Sequence, residues 1–160
     1  MIYYIFKTQI FTVFLSIAHL TAITFPDKIQ DYVGGRKGDF LIYELNQGKS
    51  LVYEVKRKDI DSNFITFHRG GKYHFNILYD ERFSNKDIEI KEAATCNMYE
   101  LIKDTKDYQS FECPKSIFFI NKLKVPVKVN DQVVSDKAFL SKGPPVFING
   151  AVVYFNGMVL

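Results

Sequence analysis

The feature that most constrains the fold is a pair of aromatic segments, residues 63–68 and 72–79, on either side of Gly70-Gly71. Both segments are rich in residues that favour β-strands. Two consecutive glycines can adopt positive φ without steric cost, so the pattern predicts a tight β-hairpin. Alternate positions share its core-facing side, which we expect to hold Phe64, Thr66, His68, Tyr73, Phe75 and Ile77.

Similar short segments continue along the chain. Residues 39–45 and 49–55 flank a turn at Asn46-Gln-Gly48, and two Asn-Gly pairs flank residues 151–155, which predicts a three-stranded meander. Aromatic residues make up 16% of the chain, with 15 Phe and 10 Tyr, and these types favour strands. The sequence therefore predicts an all-β fold, a β-sandwich or small barrel of antiparallel hairpins with at most one short helix.

Residues 97–109 are compatible with two local structures. Met98, Leu101, Ile102 and Thr105 fall at helical spacing, and Asn97 and Glu100 are placed like a helix N-cap and its reciprocal partner. The same residues can form a hairpin that turns near Asp104-Thr105, with the two cysteines bridged across it. The helix is the slightly favoured interpretation, and the hairpin stays open.

The N-terminal segment has the composition of a secretory signal peptide. Lys7 precedes an apolar stretch from Ile10 to Leu20, and small residues follow it. Cleavage is expected after Ala18 or Ala22, which leaves no stable membrane anchor because the apolar stretch is shorter than a membrane span. The expected organisation is a signal peptide at 1–22, an extended lead-in at 23–38 and a single β-rich domain at 39–160.

The chain contains two cysteines, Cys96 and Cys113. In an exported protein such a pair is expected to form a disulfide, because oxidising compartments favour disulfides. There is no Cys-x-x-Cys motif, and few histidines are available to complete a metal site. The sequence therefore predicts a Cys96–Cys113 disulfide and no metal or other cofactor.

The distribution of charge and polar residues favours binding to other proteins. A net charge of +3 is too small for nucleic-acid binding through phosphate neutralisation. His68 and His74 are predicted to lie on opposite faces of their hairpin, and no catalytic constellation stands out, so the chain is not expected to be an enzyme. Strand edges and aromatic side chains suit pairing with protein partners. The candidate partner-binding residues are Phe64, Thr66, Tyr73, Phe75, Val146, Phe147, Tyr154 and Phe155.

Residues 63–77 also resemble a recurring element of the TraK-like outer-membrane core subunits of conjugation and type IV secretion systems. In those proteins an Asn-Leu-x-Val-x-Thr strand, a Gly-containing turn and a Tyr-x-Phe-x-Leu strand follow one another. The matching positions, within a resemblance that covers about residues 40–79, are Asn63, Phe64, Thr66, Gly71, Tyr73, Phe75 and Ile77.

The resemblance implies a non-enzymatic structural subunit of a ring around a translocation channel. The expected function is therefore an exported structural or assembly component of a bacterial conjugation or type IV secretion complex. Its expected location is the periplasm or the outer membrane, with other protein subunits as partners and a homo-oligomer left open. The alternative is a secreted β-sandwich binding module, an adhesin or effector without catalytic activity, found outside the cell.

Overall fold

The computed structural model describes residues 1–155 and 157–160, and almost all of its regular structure is β. This confirms the predicted all-β sandwich class. One 3-10 turn, Asn46–Gly48, interrupts the strands of the first part of the chain. Those strands are β1 Ile2–Ile5, β2 Ile10–Leu15, β3 Thr21–Thr24, β4 Ile29–Gly34, β5 Phe40–Leu45, β6 Ser50–Val55, β7 Asp61–His68, β8 Gly71–Tyr79 and β9 Asp87–Glu92.

The second part of the chain continues with shorter strands. They are β10 Glu100–Asp104, β11 Tyr108–Cys113, β12 Ser116–Asn121, β13 Val127–Val129, β14 Gln132–Val134, β15 Lys137–Leu140, β16 Val146–Ile148, β17 Ala151–Phe155 and β18 Met158–Val159. The predicted C-terminal meander is present as β16, β17 and β18, which pair antiparallel in that order.

Strands β1 to β9 form a first sandwich of two facing sheets. Sheet 1 has the strand order β1-β9-β3-β6-β5, and sheet 2 has the order β2-β8-β7-β4. Alternate residues of both sheets point inward and make one hydrophobic cluster, because side chains along a strand alternate between faces. Its largest fully buried members are Tyr3, Tyr53, Phe25, Phe64, Phe75, Ile5, Leu15, Ile23, Leu51, Ile77 and Ile88.

Strands β10 to β18 form a second, smaller sandwich with its own core. Sheet 3 has the order β10-β11-β12-β15, and sheet 4 has the order β14-β13-β16-β17-β18. The buried members of its cluster are Ile117, Phe119, Val127, Val129, Val134, Leu140, Val146 and Tyr154. The range 39–160, expected to be one domain, thus contributes to two separate hydrophobic clusters.

The first 22 residues are part of the fold, contrary to the expected organisation. They supply β1, β2 and the start of β3. In sheet 1, β1 and β3 lie on either side of β9 and are parallel to it. In sheet 2, β2 is parallel to β8. Strand β2 is apolar on both faces because both are covered. Phe11 lies in the first core, whereas Phe14 contacts Phe147 of the second sandwich, with 6.1 Å between ring centroids. A strand that is buried on both faces has a nearly continuous apolar sequence, and a signal peptide has one as well. The apolar stretch by itself therefore does not distinguish the two.

The expected lead-in at 23–38 is also structured, because it contains the end of β3 and all of β4. Strand β4 pairs antiparallel with β7 and ends at Gly34, where the chain leaves sheet 2 towards sheet 1. Gly34 has a φ of 143°, and a Cβ at this position would lie 2.3 Å from the carbonyl oxygen of Asn63. Only glycine therefore fits this close crossing without displacing the neighbouring strand.

The predicted hairpins at residues 39–55 and 63–79 and the alternative hairpin considered for residues 97–109 are all formed. In the aromatic hairpin His68 pairs with Gly71, so Arg69 and Gly70 occupy the turn, one residue earlier than expected. The predicted core-facing side is unchanged, because the register moves by two residues and alternation is preserved. Residues 100–113 form a hairpin of β10 and β11, so the favoured helix was wrong and the alternative was right.

Candidate interaction edges

All but one of the predicted partner-binding residues are buried, most of them in the two cores, whereas Phe155 packs against Phe83. Phe64, Thr66 and Phe75 are fully buried, and Tyr73, Val146, Tyr154 and Phe155 are at most 6% exposed. Only Phe147 is partly exposed, at the junction of the two sandwiches. Aromatic residues at alternate positions of these strands face the interior of the fold. Side chains that are buried in this way cannot contact a partner. The assignment of these residues to a binding surface is therefore corrected.

The candidate residues come from two segments, the aromatic hairpin and the C-terminal meander, which differ in their position within the sheets. The aromatic hairpin is internal, because β8 and β7 lie between β2 and β4 in sheet 2. The C-terminal end of the chain does lie at an edge, where β18 is the last strand of sheet 4. Met158, Val159 and Leu160 are between 40% and 58% exposed there.

Three sheet edges are covered by the neighbouring sandwich. At the edge of β1, Tyr4 and Lys142 exchange main-chain hydrogen bonds of 2.7 and 2.9 Å. At the edge of β15, the side-chain amide of Gln9 donates to the carbonyl oxygen of Phe139 over 2.7 Å. Near the start of β2, the N–H of Ile10 donates to Asp131 over 3.2 Å. These edges hold the two sandwiches together.

The other edges differ in how well they are protected against pairing. Strands β4 and β10 are irregular, with register shifts between Ile29 and Asp31 and between Leu101 and Lys103. Strands β14 and β18 have only three and two residues. Bulges, charged residues and short length all reduce the ability of an edge to accept another strand.

Strand β5 has neither a bulge nor a short length, and Glu44 is its one charged residue. It is a six-residue strand with the sequence Phe-Leu-Ile-Tyr-Glu-Leu, and it pairs with β6 without any register shift. Its outward side chains Leu41, Tyr43 and Leu45 are 47%, 45% and 54% exposed. Among the described residues no hydrogen bond is made to the outer main chain of this strand. Long, regular, apolar edges of this kind accept further strands.

Two side-chain contacts fix the outer face of β5. The hydroxyl of Tyr43 donates to Glu54 of β6 over 2.8 Å, and this hydrogen bond raises the pKa of Tyr43 and lowers the pKa of Glu54. Lys56 lies 3.1 Å from the same carboxylate. The tyrosine is therefore held flat against the sheet while nearly half of it faces solvent.

The start of β5 is anchored by the buried carboxylate of Asp39. Ser62 donates to it over 2.8 Å, the Arg36 N–H donates over 3.1 Å, and the Arg57 guanidinium lies 2.9 Å away. Burial by itself raises the pKa of Asp39, but the hydrogen bonds from Ser62 and Arg36 and the two arginine charges outweigh it and keep the pKa below its ordinary value. This anchor holds β5 in a fixed position at the edge.

A second exposed apolar feature crosses the outer face of sheet 3. Leu101, Phe111, Phe118 and Phe139 stand directly opposite one another on four neighbouring strands. The ring centroids of Phe118 and Phe139 are 5.1 Å apart, and Tyr99 packs on both rings. Sequence reasoning missed this row because its members are far apart in the chain and only the strand register aligns them.

The two hairpin histidines lie on opposite faces, as predicted. His68 is buried, with Nδ1 3.0 Å from the Asp27 carbonyl oxygen and Nε2 2.8 Å from the Thr66 hydroxyl. Within the part of the chain that the structure describes, no three His, Cys, Asp or Glu residues cluster in a way that could hold a metal ion.

We expect the burial of His68 to make folding stability depend on pH. Burial lowers its pKa, against the smaller raising effect of its hydrogen bond to Asp27. Below about pH 6.5 the unfolded chain binds a proton on this histidine more readily than the folded chain does. Stability should therefore fall as the pH decreases through this range. Urea denaturation between pH 8 and pH 5 should give a shallower pH dependence for His68→Gln.

The control for this experiment is His74→Gln, on the opposite face of the same hairpin. It replaces an imidazole that lies outside the buried face, so it shows the effect of a histidine substitution in this hairpin by itself. A His68→Gln variant with the wild-type pH dependence would show that the His68 imidazole does not contribute.

The predicted disulfide between Cys96 and Cys113 is present. It ties the connection between the two sandwiches to strand β11, and Tyr99 fixes the same connection through its hydroxyl, 2.8 Å from Ser116. Cys113 is only 5% exposed. Cys96 is partly exposed. A structural disulfide is typical of proteins in an oxidising, exported environment.

Loss of the disulfide should destabilise the second sandwich. The two cysteines are 17 residues apart, and closing a loop of about this length stabilises a folded chain by about 3 kcal/mol in the chain-entropy description. We expect the double variant Cys96→Ser, Cys113→Ser to lose about this much in urea denaturation, compared with the oxidised wild type. If the variant and wild type unfold at the same urea concentration, the bridge does not stabilise the fold.

No protein-family profile and no curated protein matches this chain. The candidate sites therefore rest on the geometry described above. None of the described residues forms a helix of the length and hydrophobicity that crossing a membrane requires.

Proposed function

We propose that this chain is a structural or assembly subunit of a bacterial conjugation or type IV secretion complex, in the periplasm or at the outer membrane. The observation that carries the proposal is the regular, unpaired edge of β5, with Leu41, Tyr43 and Leu45 exposed beside it. Subunits that assemble by strand pairing need such an edge, since main-chain hydrogen bonds supply affinity and alternate side chains supply specificity.

Two further features support the proposal. The segment that resembles TraK-like subunits contains β5 and β6, the two strands at this end of sheet 1, together with β7 and β8 of the facing sheet 2. The anchoring of Asp39 by Ser62, Arg36 and Arg57 holds β5 ready for pairing before a partner arrives. Preorganisation of this kind lowers the entropic cost of association.

The test is a detergent pull-down of the tagged full-length chain from its native cells, followed by size exclusion and mass spectrometry. We expect a large envelope assembly that contains a lipoprotein and a subunit spanning the inner membrane. The double variant Leu41→Lys, Leu45→Lys should lose the proteins that associate through β5. The matched control is Val133→Lys on the short edge strand β14, where the valine is 74% exposed.

A chain that elutes alone, or that is found mostly in the culture medium, would contradict the proposal. The secreted binding module, an adhesin or effector that uses the same edge, would then be the better interpretation.

A further inference from the structure

We propose that the β5 edge binds the β5 edge of a second copy of this chain, in an antiparallel arrangement with a twofold axis at Tyr43. This inference deepens the proposed function and rests on it, because it names an occupant for the same edge. It follows from three properties of β5: the direction of its main-chain groups, the alternation of its side chains and the position of its one charged residue.

The direction of the main-chain groups follows from two hydrogen bonds at the ends of the neighbouring strand. The Lys56 N–H donates to the Asp39 carbonyl oxygen over 2.9 Å, and the Phe25 N–H donates to the Lys49 carbonyl oxygen over 2.9 Å. Because main-chain groups alternate in direction along a strand, Leu41, Tyr43 and Leu45 direct theirs towards β6. The N–H and C=O groups of Phe40, Ile42 and Glu44 therefore point away from the sheet.

This alternation leaves few registers for a symmetric antiparallel pair. Only residues with outward main-chain groups can be hydrogen-bonded to one another, so Phe40, Ile42 and Glu44 must face members of the same set. A twofold axis at Glu44 would place two carboxylates directly opposite each other, which is unfavourable. An axis at Ile42 would place Leu45 opposite Asp39, whose side chain is fully buried and held by Ser62.

An axis at Tyr43 avoids both conflicts. Ile42 then pairs with Glu44 of the second copy, and each such pair exchanges two main-chain hydrogen bonds. On the exposed face Leu41 stands opposite Leu45 of the second copy, and Tyr43 stands opposite its own equivalent. Every exposed apolar side chain of β5 thus meets another apolar side chain, and the two sheets 1 join into one continuous sheet.

The self-complementary pattern selects a second copy as the occupant. An isologous contact requires the same surface on both molecules, and a strand with exposed Leu41, Tyr43 and Leu45 equally spaced about its centre fulfils this requirement. The contact is limited to one edge strand and its flanking side chains, so it is smaller than a standard interface. We expect a weak dimer whose fraction rises with protein concentration.

Single cysteine variants test the register in the purified full-length chain. The described native cysteines are already bridged, so an introduced cysteine supplies the free thiol. At the twofold axis, directly opposed side chains of a non-hydrogen-bonded pair are close enough to form a disulfide. We expect Tyr43→Cys to form a covalent dimer in a glutathione redox buffer. Leu41→Cys alone should not, because its equivalents lie far apart, but a mixture of Leu41→Cys with Leu45→Cys should.

The control is Val133→Cys, an exposed position on β14 that should stay monomeric. Equal cross-linking of Tyr43→Cys, Leu41→Cys and Val133→Cys would show random collision and overturn the inference. Cross-linking of Leu41→Cys alone, without Tyr43→Cys, would overturn the register and the twofold arrangement with it. Absence of self-pairing in purified protein, together with a positive pull-down from cells, would reject this inference and leave the proposed function standing.

Discussion

A chain that lacks residues 1–22 is expected not to fold. Truncation after Ala22 removes β1, β2 and the first residues of β3, and with them the buried side chains of Tyr3, Ile5, Phe11, Val13 and Leu15. Burial of a large apolar side chain contributes roughly 1.5–3 kcal/mol, so their combined loss of about 10 kcal/mol is comparable with the whole stability of a typical domain. Circular dichroism and thermal unfolding of chains 1–160 and 23–160 measure the effect.

A matched control removes residues from the other end of the chain. Deletion of residues 158–160 takes away an exposed edge strand and should leave the fold intact. A chain 23–160 that unfolds cooperatively at the temperature of the full-length protein would contradict the expectation and favour the signal-peptide interpretation. The mass of the protein isolated from its native cells tests the same point independently, because it shows whether residues 1–22 are retained.

Replacement of Phe64 by alanine is expected to cost about 3–5 kcal/mol of folding stability. The side chain is fully buried, and its ring contacts those of Phe75, Tyr53 and Tyr32 at centroid distances of 5.4, 5.5 and 5.6 Å. Alanine would leave a cavity among these rings that the surrounding strands can fill only in part. Urea denaturation monitored by circular dichroism gives the difference in unfolding free energy.

The control for Phe64→Ala lies on the same strand. Phe67 is on the opposite face of β7 and is 39% exposed, so Phe67→Ala should cost much less, about 1 kcal/mol or below. The pair of variants separates a core role from a binding role. A Phe64→Ala protein with wild-type stability but impaired association with partners would restore Phe64 to the binding surface.

The local structure of much of the chain could be predicted from sequence. The hairpins β5–β6 and β7–β8 and the C-terminal meander each combine β-favouring residues with Gly or Asn-Gly turns, and these signals act over short distances. The pairing of Cys96 with Cys113 was expected because the chain has two cysteines and its sequence indicated export to an oxidising compartment. Over residues 97–109 the sequence slightly favours a helix, which is wrong, because helical spacing and strand alternation coincide over so short a segment.

The positions of the strands within the sheets could not be predicted in the same way. An apolar stretch such as residues 10–15 fits a signal peptide, a buried helix or a strand covered on both faces, and only the tertiary contacts of Phe11 and Phe14 distinguish them. The binding residues were misassigned for a related reason. Aromatic alternation identifies two faces of a hairpin, but whether that hairpin lies at an edge depends on β2 and β4, which the sequence did not reveal as strands.

The parallel pairing of the first strands has a consequence for the order in which the chain can fold. The amino group of Met1 donates to the Asp87 carbonyl oxygen, although the two residues are 86 positions apart in the chain. The strand partner of β1 in sheet 1 is β9, which is synthesised much later. The N-terminal strands therefore leave the ribosome long before their partners exist. Long-range pairing of this kind slows folding, and apolar strands waiting without partners favour aggregation. The yield of soluble protein should thus depend on a chaperone that shields residues 2–24 until β9 has been made.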